Sequence, residues 1–322
     1  MQNLRSVVHK LSIEVLKEIA ESLSYKTAYL QSKGTAQRLL ISNGKKMYIA
    51  NSTHFGFYPE VQRWQQQLFD SKILTQEILS MLGYTTIVSF TAYYNEYANL
   101  RELNTAVIDH IKEYPVIVKP EQGARGNNIT IALNKTGVLS QVKALYIKKK
   151  SLLIQPIHAY DEYRILIING EVEVIHMKQL NHVVGDGVQT IQKLLHTKMQ
   201  GEKDDTFIKL ELKKRGLSLQ SILSKDDTFL SHLTRFSSPN EYYRSEKFPK
   251  HIVTWAKKLS KDISVPTIGI DIFAPHGLAD TKSFIIIELN ANPAFEYINK
   301  RYTDAPKVRE IATKFLTHYF KN

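Results

Sequence analysis

Short apolar runs separated by turn residues make up most of this chain. Most runs are four to eight residues long and rich in Ile, Val and Leu, which predicts buried strands rather than amphipathic helices. Asn43-Gly44 and Asn169-Gly170 each interrupt a longer apolar stretch, and this dipeptide predicts tight β-hairpins. Single strands are predicted at 85–90, 115–120, 129–133, 152–157, 265–273 and 283–290.

Helical spacing appears between several of these strands. Leu74, Ile78 and Leu82 keep one face of a helix apolar, with Asp70 as the expected N-cap and Gly83 as the stop. The order of strands and helices differs from repeated βαβ units and predicts an α+β chain with at least two mixed sheets. Further helices are predicted near 97–111, 136–147 and 304–320, and a mostly helical, polar region is predicted over 187–262.

Composition narrows the class of protein. The 322 residues predict two or three subdomains, of which a small α/β domain with its own hairpin would occupy 1–69. The absence of cysteine excludes disulfides, thiolate metal sites and a cysteine nucleophile. No apolar run is long enough to span a bilayer, and the first residues lack a signal-peptide pattern, so we expect a cytoplasmic protein without a membrane partner.

The net charge of +12 favours an anionic partner. Basic runs at 148–150, 213–215 and 257–261 are not interleaved with aromatic residues, so the pattern disfavours nucleic acid and favours solvated helix faces. A positive field would also attract small acidic substrates or nucleotide phosphates.

Two oxygen ligands lie close together in the segment I-I-I-E-L-N-A-N-P at 285–293. Glu288 and Asn290 are two residues apart in a predicted strand, so their side chains should point to the same face. Asp271 lies in the preceding apolar strand, within G-I-D-I-F. Carboxylate and amide oxygens of this kind suit Mg²⁺, which also binds substrate phosphates.

A glycine-bearing segment, E-Q-G-A-R-G-N-N at 121–128, follows Lys119 at the end of a predicted strand. Gly123 and Gly126 leave backbone amides open to an anion, and Arg125 stands between them. The segment has neither the Walker nor the Rossmann spacing, so on its own it indicates only a flap over phosphates.

These motifs occur in an order that resembles the ATP-grasp superfamily. The series is Lys72 in D-S-K-I-L-T, V-I-V-K-P, the glycine segment, L-L-I-Q-P-I, D-E-Y-R-I-L, G-I-D-I and I-E-L-N-A-N-P. D-S-K-I-L-T-Q-E-I-L and H-V-V-G-D-G-V-Q-T-I look like the ATP-grasp portion of the cyanophycin synthetase and bifunctional glutathione synthetase families. The resemblance covers about 70–321.

The resemblance implies an ATP-grasp fold, in which two α+β subdomains clasp ATP, with a lid subdomain at about 112–157. It implies an ADP-producing ligase that joins a carboxylate to an amine through an acyl phosphate, using ATP and Mg²⁺, with Mn²⁺ as an alternative. Arg164 and Lys178 would be catalytic, Asp271, Glu288 and Asn290 would hold the metal, and Arg235 and Ser238 are weaker substrate-binding candidates. Contacts to ATP are expected from Lys72, Lys119, Gly123, Arg125, Gly126, Asn127, Gln155, Pro156, Ile157 and Glu162.

Some positions depart from the family pattern. Gln155 stands where the family usually has glutamate, and Ala294 replaces the glycine after N-A-N-P. The substrate therefore stays open between an amino acid or small peptide, which could be acidic, and a ribosomal peptide or protein. A nucleotide-binding regulator without ligase activity is a third alternative, and a homo-oligomer is compatible with all three.

Overall fold

The computed structural model describes residues 4–30, 38–51, 61–122, 128–158, 160–197, 205–243, 248–291, 293 and 306–321. The helices in these ranges are α1 (Leu4–Ser22), α2 (Arg63–Asp70), α3 (Lys72–Met81), α4 (Leu100–His110), α5 (Lys135–Ile147), α6 (Ile191–Thr197), α7 (Asp205–Arg215), α8 (Lys250–Asp262) and α9 (Pro306–Lys321). The strands are β1 (Lys26–Leu30), β2 (Arg38–Ser42), β3 (Met47–Asn51), β4 (Phe90–Ala92), β5 (Val116–Pro120), β6 (Thr130–Ala132), β7 (Leu152–Pro156), β8 (Asp161–Ile168), β9 (Glu171–Val184), β10 (Thr228–Tyr243), β11 (Ile268–Ala274) and β12 (Ile285–Asn290).

The strands form three sheets in the described part of the chain. A three-stranded sheet has the order β1-β2-β3, a four-stranded sheet has β4-β7-β5-β6, and a central five-stranded sheet has β10-β9-β8-β11-β12. Every pair of neighbouring strands is antiparallel, so the α+β class is confirmed and the prediction of mixed sheets is wrong. Both Asn-Gly hairpins are confirmed, because β2 pairs with β3 and β8 pairs with β9.

Helices α2, α3 and α8 pack against one face of the central sheet, on β8, β9, β11 and β12. Ile165 and Ile270 pack there with Ile252 and Ala256, which are four residues apart on α8. The opposite face is apolar only at one end, where Leu166 joins a core shared with α1, β2 and α9. Polar side chains occupy the other end of that face, and the candidate site lies there.

The four-stranded sheet forms a separate core with α4 and α5. Val118 and Ile154 pack with Leu103 of α4 and Val142 of α5. Asn134 caps α5, since its side chain accepts a hydrogen bond from Gly137 N at 3.0 Å. The sheet connects to the central sheet through the segment between β7 and β8, which allows the two sheets to face a common cleft.

Two predicted segments differ from the observed structure. The strand expected at 85–90 is wrong, because the regular strand is Phe90–Ala92 and Thr86 makes only an isolated bridge to Ile286. The helical prediction for 187–262 is wrong over Thr228–Tyr243, which forms β10. This strand pairs with β9 and has several register shifts, so its sequence lacks a clean alternation of polar and apolar residues.

Candidate active site

Charged residues from neighbouring strands form a row across the central sheet. Asp271 on β11 lies directly opposite Arg164 on β8 and Glu288 on β12 in the strand register. Asn290 lies opposite Gly269, one side-chain step along the same face from Glu288. On the other side of β8, Lys178 of β9 is opposite Glu162. The register therefore brings together residues that are more than 100 positions apart in sequence.

These side chains form a buried ionic network. Arg164 Nε donates to Asp271 Oδ1 at 2.6 Å, and Arg164 Nη2 donates to Oδ2 at 2.5 Å. Lys178 Nζ lies 3.1 Å from Asp271 Oδ2 and also donates to the carboxylate of Glu162. Burial alone would raise the pKa of Asp271, but the charges of Arg164 and Lys178 outweigh burial and hold that pKa well below its usual range.

Lys119 links this network to the four-stranded sheet. It lies on β5 with 7% of its surface exposed. Burial lowers the pKa of Lys119 to about 8, and the positive charge of Lys72 contributes to that decrease. The carboxylates of Glu288 and Glu162 act in the opposite direction. Lys119 of β5 therefore lies within electrostatic range of Lys72 on α3 and of the carboxylates of Glu288 and Glu162 on the central sheet.

Lys72 is the first residue of α3 and approaches the end of β5. Its Nζ lies 3.4 Å from Glu121 O. Ser71 caps this helix by accepting a hydrogen bond from Leu74 N at 3.2 Å, whereas Asp70 is the last residue of α2. The prediction of Asp70 as the N-cap is therefore wrong, because α2 extends to that position and leaves the cap to the next residue.

A cavity of about 310 Å³ opens between α3 and the end of β12. Its polar lining consists of Asp70, Lys72, Gln122, Glu288 and Asn290. Phe69 and Leu289 supply part of the apolar wall. A cation, two carboxylates and two amides thus converge on one space large enough for a phosphate group or a small substrate.

The oxygen donors at this cavity fit a hard divalent cation. Glu288 and Asn290 offer a carboxylate and an amide oxygen on one strand face, and Asp271 is the neighbour of Glu288. No three Asp, Glu, His or Cys side chains are close enough in the described ranges to hold a metal among themselves. Mg²⁺ commonly completes its octahedron with waters and substrate phosphates, so the donor set suits Mg²⁺ bound together with ATP.

The segment that joins the two sheets holds the other expected ATP contacts. Gln155 is buried on β7, and its Nε2 donates to Ser89 Oγ at 2.6 Å. Pro156 is exposed and Ile157 is half-buried, directly before β8. The side chain of Gln155 therefore orients toward the strand-like segment before β4, and the edge of the connection is accessible.

Several predicted residues cannot be compared with the structure at side-chain level. Gly123, Arg125, Gly126 and Asn127 lie outside the described residues. The backbone of Arg235 and Ser238 belongs to β10, in which Arg235 is opposite Leu180 of β9. Their side chains are also outside the described part, so their roles stay predictions.

A stacked pair of rings beside the site was missed from sequence. His158 and Tyr160 stack with ring centroids 5.2 Å apart and planes 10° from parallel. Phe273 meets both rings edge-on, at 5.6 Å and 6.2 Å, and lies opposite Glu162 in the strand register. The aromatic residues immediately after the predicted connection were the available signal for this cluster.

Comparison with known proteins finds two groups of relatives. Cyanophycin synthetase from Crocosphaera subtropica is 29% identical over 215 residues, which is 60% of this chain and 24% of that protein. The glutathione biosynthesis bifunctional protein GshAB from Listeria innocua is 26% identical over 247 residues, covering 70% of this chain and 31% of that protein. The chain is thus similar in sequence to cyanophycin synthetases and to bifunctional glutathione biosynthesis proteins. No family model matches it.

The structural comparison supports the same fold. A crystal structure of a bifunctional glutathione synthetase from Pasteurella multocida matches with a TM-score of 0.54 and 16% identity, covering 94% of this chain and 43% of that one. The predicted ATP-grasp fold is thereby confirmed. The chain spans about a quarter to a third of the length of the two curated ATP-grasp relatives it matches.

None of the helices in the described ranges combines the length and apolar character needed to cross a bilayer.

Proposed function

We propose that this chain is an ATP-dependent carboxylate–amine ligase that acts on an amino acid or a small peptide and releases ADP. The observation that carries the proposal is the cavity that Lys72 lines together with Glu288 and Asn290. Next to Glu288, Arg164 and Lys178 hold the carboxylate of Asp271. Cations beside paired oxygen donors match what transfer of a phosphoryl group from ATP requires. The homology to ATP-grasp ligases supports the same general reaction.

The reaction proceeds in two displacements. A carboxylate oxygen of the substrate attacks the γ-phosphorus of ATP, the bond from that phosphorus to the β,γ-bridging oxygen breaks, and ADP leaves. The amine nitrogen of the second substrate then attacks the acyl carbon, inorganic phosphate leaves, and the ammonium loses a proton to give the amide. Both steps develop negative charge on phosphoryl oxygens, so positioning and neutralisation by cations dominate catalysis.

Each residue has a role that follows from its position. Lys72 and Lys119 bind the phosphates of ATP from the side of the four-stranded sheet. Arg164 and Lys178 neutralise charge on the transferring phosphoryl group and on the acyl phosphate. Glu288, Asn290 and Asp271 would hold Mg²⁺, which supplies charge neutralisation and orients the phosphates when bound.

In this proposal the predicted domains have different roles. We assign catalysis to 70–321, with the lid at about 112–157 and the N-terminal domain at 1–69. The lid carries Lys119 and the glycine segment, so its approach to the central sheet would complete the cation set around the phosphates. Exclusion of water by the lid would protect the acyl phosphate from hydrolysis.

A phosphate-release screen tests the proposal. The protein is incubated with ATP, Mg²⁺ and pairwise pools of amino acids and short peptides, and active pools are analysed by mass spectrometry. The proposal predicts phosphate release that depends on both substrates, together with a product whose mass equals the two substrates minus one water. Phosphate release without any such product would contradict the ligase assignment and favour a simple ATPase.

A further inference from the structure

The segment 122–160 carries a one-sided charge. It contains no Asp or Glu, yet it includes Arg125, Lys135, Lys143 and the run Lys148–Lys150. The described lysines of this segment are all exposed to solvent. The segment therefore has a positive net charge, and its three successive lysines at 148–150 are its densest concentration of charge.

The three successive lysines at the end of α5, Lys148–Lys150, are termed the lysine cluster here. The helix ends with backbone hydrogen bonds from Lys149 N to Tyr146 O at 2.9 Å and from Lys150 N to Leu145 O at 3.0 Å. Lys149 has φ of 51°, a left-handed conformation in which glycine is favoured at helix ends. A favourable interaction with the helix dipole explains one basic residue near a helix C-terminus. It does not explain three in succession, one of which has a disfavoured backbone conformation.

The lysine cluster lies next to residues that lead into the cavity. Ser151, which follows the cluster, accepts a hydrogen bond from Glu121 N at 2.9 Å. The carbonyl of Glu121 contacts Lys72 Nζ at 3.4 Å, and Lys72 and Gln122 line the cavity together with Glu288. An extended chain with one end in the cavity could thus run past the C-terminal end of β5, by Glu121 and Ser151, to the cluster.

We propose that the lysine cluster docks an acidic peptide whose reacting carboxylate enters the cavity beside Glu288. This inference rests on the proposed ligase function and names its substrate class as an acidic peptide rather than a free amino acid, which would not reach the cluster. The neighbouring Ile147 is 68% exposed and offers an aliphatic contact. Single-stranded nucleic acid is bound largely by aromatic stacking, so an aliphatic neighbour favours the peptide.

Binding of a fluorescein-labelled decaglutamate peptide tests the docking surface without any turnover. Anisotropy titrations are run on the full chain and on the variant with Lys148→Gln, Lys149→Gln and Lys150→Gln. The matched control replaces three exposed lysines of α7, with Lys209→Gln, Lys213→Gln and Lys214→Gln. A labelled oligothymidylate of ten nucleotides is the competing probe, and ATP binding by calorimetry checks that each variant is folded.

The cluster variant is expected to bind decaglutamate about tenfold more weakly than the parent, as the loss of three surface ion pairs implies. The α7 variant should bind like the parent, and both variants should bind ATP normally. Equal peptide affinity in parent and cluster variant, an equal loss in the α7 variant, or tighter binding of oligothymidylate would each overturn the docking proposal. Failure of the ligase function would appear separately, as peptide binding without amide formation.

Discussion

Arg164 binds both carboxylate oxygens of Asp271 in a bidentate contact, with Nε 2.6 Å from Oδ1 and Nη2 2.5 Å from Oδ2. Lys178 adds a third contact to the same carboxylate. Asp271 therefore has its charge compensated by side chains of β8 and β9. For Asp271 to bind a metal ion, one of these cations would have to turn away from it toward the phosphates of ATP. Metal binding and this movement would then be coupled, because both involve the same carboxylate.

Loss of this buried ion pair should destabilise the protein. Arg164→Met leaves Asp271, which is 5% exposed, without its main partner, and we expect a loss of about 3 kcal/mol in the free energy of unfolding. Arg215→Met removes a more exposed pair with Asp227 and should cost about 1 kcal/mol or less. Urea unfolding followed by circular dichroism measures both, and equal costs would contradict the buried network.

The pH dependence of ATP binding should report the protonation state of Lys119. Burial and then the charge of Lys72 lower its pKa to about 8, so Lys119 is charged at pH 7 and largely neutral at pH 9 in the free protein. Phosphates of ATP favour the charged form, so binding above pH 8 requires proton uptake. Affinity should therefore fall from pH 7 to pH 9, approaching tenfold per unit above pH 8.

Calorimetry in EDTA at several pH values measures this dependence with no divalent cation bound. Lys119→Arg retains a positive charge throughout the range, so its ATP affinity should be nearly independent of pH. The same pKa makes folding more favourable as pH rises from about 8 toward 10.5, because the unfolded chain holds a proton there that the folded chain lacks. A parallel pH dependence in Lys119→Arg would exclude Lys119 as its cause.

The cap of α3 should matter for both stability and nucleotide binding. Ser71→Ala removes the hydrogen bond to Leu74 N and should lower the free energy of unfolding by about 1 kcal/mol. ATP affinity should fall slightly as well, because Lys72 is the next residue. Asp70→Asn leaves the cap intact, so its unfolding curve should match the parent; a larger loss in Asp70→Asn than in Ser71→Ala would contradict the observed helix start.

Local patterns were sufficient for the parts of the site that lie on one strand. The two-residue spacing of Glu288 and Asn290 placed both on one face, and both line the cavity. The register shift between Leu166 and Ile167 sets Lys178 opposite Glu162, but the Asn169-Gly170 turn alone predicts that β8 pairs with β9. The shared face and the hairpin pairing follow from local geometry alone and need no knowledge of distant pairing.

The pairing of strands that are distant in sequence, and the presence of irregular strands, could not be predicted from the sequence pattern. The contact of Arg164 with Asp271 depends on the register between β8 and β11, which nothing in either segment specifies. Thr228–Tyr243 was missed as a strand because its register shifts against β9 disrupt the alternation. The cap at Ser71 was assigned one residue early because the end of α2 at Asp70 depends on packing of Phe69 into the core.

The most direct test of the ATP-grasp ligase account is the rate of Mg²⁺-dependent phosphate release by Glu288→Gln, with the substrate pool that activates the parent. Glu171→Gln is the control, because Glu171 lies at the far end of β9 in an exposed pair with Lys257. The account predicts a loss of about 100-fold or more in Glu288→Gln and a parental rate in Glu171→Gln. Parental phosphate release in Glu288→Gln would contradict the assignment of this carboxylate to the catalytic centre.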